Sequence, residues 1–152
     1  MGVSMTVIQI AVAVAILLVV TLLAILLIKR RPKAPAALEE MEGHEFEYFC
    51  AELLERRGFE EVEVTRGSGD YGIDILAEKE GVTYAIQCKR YTAPVGVKAI
   101  QEAYAGRDYY DRMVGAVMTN QYFTTPAVEA AKKLKILLWD GGYLEEMLDE
   151  EE

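Results

Sequence analysis

Between Gly69 and Lys89 the chain reads GDYGIDILAEKEGVTYAIQCK, and no other stretch limits the fold as tightly. Two runs rich in strand-forming residues, IDILAEK and VTYAIQCKR, flank Glu80-Gly81, the spacing of a hairpin with a two-residue loop. With those two residues in the loop Lys79 faces Val82; counting outward, Asp74 faces Gln87 and Gly72 faces Lys89. Side chains alternate faces along a strand. Asp74, Gln87 and Lys89 therefore share one face, and Ile73, Ile75, Ala77, Val82, Tyr84, Ile86 and Cys88 share the other. The second set is apolar throughout. A slip of one residue would exchange the two sets, so the pattern itself supports the register.

A carboxylate, an amide and an ammonium group thus meet on one side of a sheet. Directly opposed residues hold their Cβ atoms about 4.5–5.5 Å apart, close enough to share a cation. Mg2+ takes oxygen ligands and accepts one or two carboxylates completed by water and substrate phosphate. A neighbouring lysine steadies charge on an attacked phosphate or orients the attacking water. The group suits metal-assisted phosphodiester hydrolysis. The competing account makes Asp74 a turn cap and leaves Gln87 and Lys89 on a solvated face. Asp70 either shapes the glycine loop or touches the metal. Cys88 points to the apolar face with no histidine near it in sequence, which makes it a core thiol. With one histidine and no CxxC, no zinc-site spacing is present.

Upstream, Val7 to Ile28 is an apolar run in which only Gln9 and Thr21 are polar. It is longer than a signal-peptide core of about 7–15 residues and matches the ~20 residues of a bilayer span. Lys29, Arg30, Arg31 and Lys33 follow it and favour the cytoplasmic side. The expectation is a single-pass cell-membrane protein anchored through residues 7–28, with a cytoplasmic C-terminal domain and two free thiols, Cys50 and Cys88. The expected organisation is an anchor over 1–30, a linker over 31–42, one domain over 43–148 and an acidic tail over 149–152. After the four basic residues, 12 Lys and Arg face 25 Asp and Glu, a formal charge of −13. That balance argues against a protein that coats nucleic acid electrostatically.

Within the domain, Phe46, Phe49, Cys50, Leu53 and Leu54 recur at helical spacing, and Gly58 suits the cap of that helix. EEVEVT reads as a strand before the hairpin, residues 95–111 as a helix with Ile100, Ala103 and Tyr104 on one side, and MVGAVMT as a strand. TPAVEAAKKL reads as a helix, KILLW as a strand ending in a core Trp139, and a short acidic helix follows. His44 begins a helix. The order is αβββαβαβ(α), an α/β domain with a mixed sheet.

Three segments, GHEFEYFCAELLERRGFEEVEVT, GDYGIDILAEKEGVTYAIQCKRY and TNQYFTTPAVEAAKKLKILLWD, together resemble the Mrr-like branch of the PD-(D/E)XK restriction-endonuclease-like superfamily. The resemblance covers roughly residues 42–148 and implies a restriction-endonuclease-like αβββαβ core preceded by the apolar helix. It also implies a Mg2+-dependent DNA endonuclease. Asp74 matches the metal-binding acid, Gln87 the position where many relatives carry Asp or Glu, and Lys89 the catalytic lysine. Glu47 matches the first-helix glutamate, and the Cys88 backbone carbonyl a further metal ligand. Periodicity alone does not choose between Glu45 and Glu47. Candidate DNA contacts are Arg66, Ser68, Arg90 and Lys98, and a second copy of the chain is a further candidate partner. Defence against foreign DNA is the role that anchor and resemblance suggest together. The rival accounts are a non-catalytic DNA-binding or partner-docking module and a junction-resolving nuclease.

Overall fold

Glu80 and Gly81 both take positive φ, 52° and 77°, as a tight hairpin turn of the favoured hand demands. The turn closes Lys79 against Val82 and sets the expected register through Ile75 and Ile86. Strand β2 (Ile75–Lys79) and strand β3 (Val82–Lys89) follow from it. Beyond Ile75 the regular ladder stops. The Asp74 N–H also donates to the Ile86 carbonyl at 2.9 Å, so two consecutive residues are set against one, as in a β-bulge. The consequence is a correction: Ile73 packs with Leu76 and Ala85, while Ile75, Ala77, Ile86 and Cys88 join a different cluster. Asp74 consequently does not continue the regular pairing opposite Gln87.

The computed structural model describes residues 5–29, 36–67, 69 and 71–149. They form two units, Met1–Arg31 and Pro32–Glu152. In the second, α2 (Ala36–Glu40), α3 (Gly43–Arg56) and β1 (Glu60–Val64) precede the hairpin. After it come α4 (Val97–Tyr109), β4 (Val114–Thr119), α5 (Thr125–Leu134), β5 (Ile136–Trp139) and α6 (Gly141–Asp149). The five strands lie in the order β1-β2-β3-β4-β5. The first three pair antiparallel and the last three parallel, which makes the sheet mixed.

Each sheet face is covered because each is apolar. Phe46, Cys50, Leu53 and Leu54 of α3 and Leu144 and Met147 of α6 pack with Ile75, Ile86, Met118 and Trp139. On the other side Ala99, Ile100 and Ala103 of α4 and Ala127 and Ala131 of α5 pack with Val117 and Ile136. Tyr104, expected with Ile100 and Ala103, instead lies exposed beneath the guanidinium of Arg107. The stretch read as a linker holds α2, whose Leu38 is only 2% exposed within the first cluster. Asp149 ends α6, and residues 150–152 of the expected tail lie outside the described residues.

In the first unit α1 (Met5–Lys29) is helical. Among the described residues, however, no helix is long and apolar enough to cross a membrane. The expected transmembrane helix, and with it the cell-membrane, single-pass placement with a cytoplasmic domain, is corrected accordingly.

One packing detail positions the site. The turn at 71–73 docks along α4: a Cβ on Gly106 would lie 2.7 Å from Ile73 Cδ1 and 3.0 Å from the Tyr71 carbonyl, and Tyr71 stacks on Tyr109 with ring centroids 3.7 Å apart. Replacing Gly106 by Ala should therefore destabilise the fold. Overpacking costs about 1–3 kcal/mol, which outweighs the ~1 kcal/mol that alanine gains over glycine in a helix. Urea unfolding should show a lowered midpoint for Gly106→Ala, and an unchanged or raised midpoint would refute the close packing.

Candidate active site

The site is built where the hairpin strands part. In an unbroken antiparallel ladder the Cys88 N–H would meet the Ile73 carbonyl. Here it donates to Asp74 Oδ2 at 2.6 Å, and the Ile73 carbonyl accepts from Thr65 Oγ1 at 2.6 Å. A carboxylate has taken over a ladder position, a charge-assisted bond that holds Asp74 against the backbone of β3. The Asp74 carbonyl accepts from the Thr65 N–H at 2.9 Å, which ties the same residue to the end of β1.

Glu47 approaches the same corner from α3. Glu45 turns back to the helix start, where its carboxylate accepts from the Glu42 N–H at 2.9 Å. Glu47 is 19% exposed and accepts from His44 Nδ1 at 2.7 Å. The Cys88 thiol is pushed well above its ordinary pKa. Its hydrogen bond with Cys50 contributes most, then burial, then electrostatic interaction with Cys50, Asp74 and Glu47. Those two carboxylates therefore lie within electrostatic reach of one sulfur atom.

Gln87 and Lys89 meet a partner that periodicity did not single out. Gln87 is 1% exposed, and its Nε2 donates to Glu102 Oε2 at 2.7 Å. Lys89 Nζ lies 3.1 Å from the same oxygen, and Lys98 Nζ lies 3.6 Å from the other. Burial raises the Glu102 pKa, but the hydrogen bonds from Gln87 and Lys89 and the charges of Lys89 and Lys98 outweigh it and leave the group below its ordinary value. Gln87 Oε1 is buried and has no hydrogen-bond partner among the described residues. Glu102 could have been sought in the sequence: it stands on one helical stripe with Ala99 and Gly106, both buried.

The expected DNA contacts are dispersed. Arg66 is exposed, Ser68 lies outside the described residues, as does Asp70, and Lys98 is 88% exposed. Arg90 Nε donates to the Met41 carbonyl, so this guanidinium ties the start of α3 to the end of β3. Beside it, Asn120 also escaped the sequence reading. Its amide accepts from the Tyr91 N–H and donates to the Tyr91 carbonyl, both at 2.9 Å, which fastens the segment after β3 to the residue that follows β4.

Residues 38–148 match the family model Mrr_cat, described as a restriction endonuclease. The chain belongs to the Mrr_cat restriction endonuclease family. Among solved structures, the Mrr_cat chain is similar to a protein of unknown function, AF1548, with TM-score 0.60, 27% identity, and 69% of this chain and 64% of that one covered. It is similar in fold to the DNA modification-dependent restriction endonuclease AspBHI, with TM-score 0.57, 19% identity, and 78% and 38% covered. It is also similar in fold to the MspJI restriction endonuclease in complex with a 27-mer oligonucleotide, with TM-score 0.54, 20% identity, and 68% and 27% covered. In each case the chain spans less than two thirds of the other protein. No curated protein matches it.

Both cysteines of the Mrr_cat unit are free and buried, and burial with a raised pKa suppresses thiolate reactivity at Cys88. Iodoacetamide at pH 8 should leave the folded chain unlabelled and modify both thiols after denaturation. Rapid labelling of Cys88 in the folded chain would overturn its place in the core.

Proposed function

We propose that the Mrr_cat unit is a Mg2+-dependent DNA endonuclease that hydrolyses phosphodiester bonds. Asp74, Gln87, Glu47 and the Cys88 backbone carbonyl would hold the metal, and Lys89 would act on the phosphate. Gln87 Oε1 carries this reading, as a buried oxygen with no donor among the described residues. Leaving such an acceptor unsatisfied costs about 1–3 kcal/mol, and a hard cation is the ligand that oxygen suits. Its amide cannot turn without placing that oxygen against the Glu102 carboxylate, which only accepts.

Among the described residues, no three His, Cys, Asp or Glu side chains cluster to hold a metal. The proposed set is accordingly mixed, with carboxylate, amide and carbonyl oxygens, and that composition fits Mg2+, which needs only one or two carboxylates and keeps several waters. Bound there, Mg2+ would supply Lewis-acid polarisation of the scissile phosphate. The chain's own contribution is placement. Asp74 is held by the Cys88 N–H, and the Lys89 ammonium stands beside the buried amide, where it can offset charge developing on phosphate oxygens. Arg66 and Lys98 would meet the flanking phosphates.

The test is the full chain incubated with supercoiled plasmid, in 5-methylcytosine-modified and unmodified forms, with Mg2+ or with EDTA. Nicking that requires Mg2+ and falls about 10²–10³-fold in both Asp74→Ala and Lys89→Ala is the expected result. Wild-type cleavage rates in either variant, or cleavage in EDTA, would overturn the assignment. DNA binding without cleavage would favour the non-catalytic module, and strong preference for four-way junctions over linear duplex would favour the junction-resolving reading.

A further inference from the structure

We propose that Glu102 is a positioning residue for this site: its carboxylate fixes the Gln87 amide so that Oε1 is presented as a metal-facing oxygen, and it holds Lys89 alongside. The proposal rests on the nuclease reading above and adds to it a residue from α4 that lies outside the hairpin motif. Two observations carry it. Glu102 Oε2 accepts from Gln87 Nε2 at 2.7 Å and pairs with Lys89 Nζ at 3.1 Å, while the other amide atom of Gln87 is buried and has no partner among the described residues.

The arrangement follows from what each group can do. A carboxylate accepts only, an ammonium donates only, and an amide does one at each end. With Glu102 present, the amide has a single orientation that satisfies its nitrogen. Without Glu102, the amide could turn and give Oε1 to the Lys89 ammonium, so that the metal-facing oxygen and the lysine would satisfy each other. The third partner of Glu102, Lys98, is a largely exposed i,i+4 neighbour and contributes little.

Gly72 closes the arrangement from the loop side. Its φ is +76°, and a Cβ there would lie 3.1 Å from Gln87 Nε2 and 3.3 Å from Glu102 Cβ. The glycine turn therefore covers the Gln87–Glu102 contact at a point where any side chain would intrude. Ile73 and Tyr71, packed against Gly106 and Tyr109 further along α4, fasten that cover to the helix that bears Glu102. The turn that leads into Asp74 and the helix that orients Gln87 are locked together.

The experiment measures Mn2+ binding to the full chain by electron paramagnetic resonance, without DNA. It compares wild type, Glu102→Ala, Glu102→Gln, Gln87→Ala and the Gln87→Ala/Glu102→Ala double variant, with circular dichroism to check folding. Glu102→Ala should weaken Mn2+ binding about 10–100-fold, the usual effect of losing a group that orients a metal ligand. Glu102→Gln, whose amide oxygen can still accept from Gln87 Nε2, should recover most of that loss. In the Gln87→Ala background, removing Glu102 should cost nothing further. Should Glu102→Ala fail to fold, Glu102→Met keeps the stem and removes the strong acceptor.

Three results would overturn the inference alone: wild-type affinity in Glu102→Ala, a loss in Glu102→Gln equal to that in Glu102→Ala, or an undiminished loss in the Gln87→Ala background. A wild-type chain that binds no Mn2+ would overturn the metal reading of the site and the inference with it.

Discussion

The hydrogen bond from Gln87 Nε2 to Glu102 joins the central strand to the helix that covers it, and the other features of the site are arranged around it. A buried amide must satisfy two unlike ends. Satisfying the nitrogen on α4 leaves the oxygen without a partner among the described residues. The same carboxylate holds Lys89. The Gly72 turn lies against this contact with no room for a side chain. Loop, strand and helix are thus coupled through a few polar atoms in a mostly apolar interior.

The second constraint is the break in the ladder at Ile75. Continued pairing would have kept Ile73 with the Ile75 cluster and left Asp74 on a sheet face. Setting Asp74 and Ile75 together against Ile86 sends Ile73 to the α4 side and puts the Asp74 carboxylate on the Cys88 amide. Bulges of this kind re-aim side chains near functional sites. The cost of ending the ladder early is offset in part locally, because the Ile73 carbonyl finds a new partner in Thr65 and the Cys88 N–H in Asp74.

The two cysteines fit the same frame. Cys88 alternates with Gln87 and Lys89 along β3, so its thiol enters the apolar cluster beneath α3 and hydrogen-bonds with Cys50, while its backbone faces Asp74. One strand therefore offers an inert sulfur to the core and polar groups to the site. The −13 charge of the region after the basic stretch gives no general attraction for DNA, which concentrates the weight of phosphate binding on a few cations and on the proposed metal.

Most of the architecture was legible in the sequence because it is written in local patterns. The alternation on both sides of Glu80-Gly81 determined the hairpin and its register, since a slip would have turned apolar residues out. Helical spacing placed Phe46, Cys50, Leu53 and Leu54 in the core, and the order of elements dictated a mixed sheet. The membrane placement drawn from residues 7–28 did not survive, because among the described residues no helix is long and apolar enough to cross. Leu38 was lost in a linker because a five-residue helix carries too little periodicity to detect. What only the tertiary structure decided are contacts between segments far apart in the chain: Glu102 on Gln87, Gly106 against Ile73, Asn120 on Tyr91. Periodicity reports which face a side chain takes along its own element. It holds no information about which atom of another element will stand opposite, and that pairing is set by how helix and sheet pack.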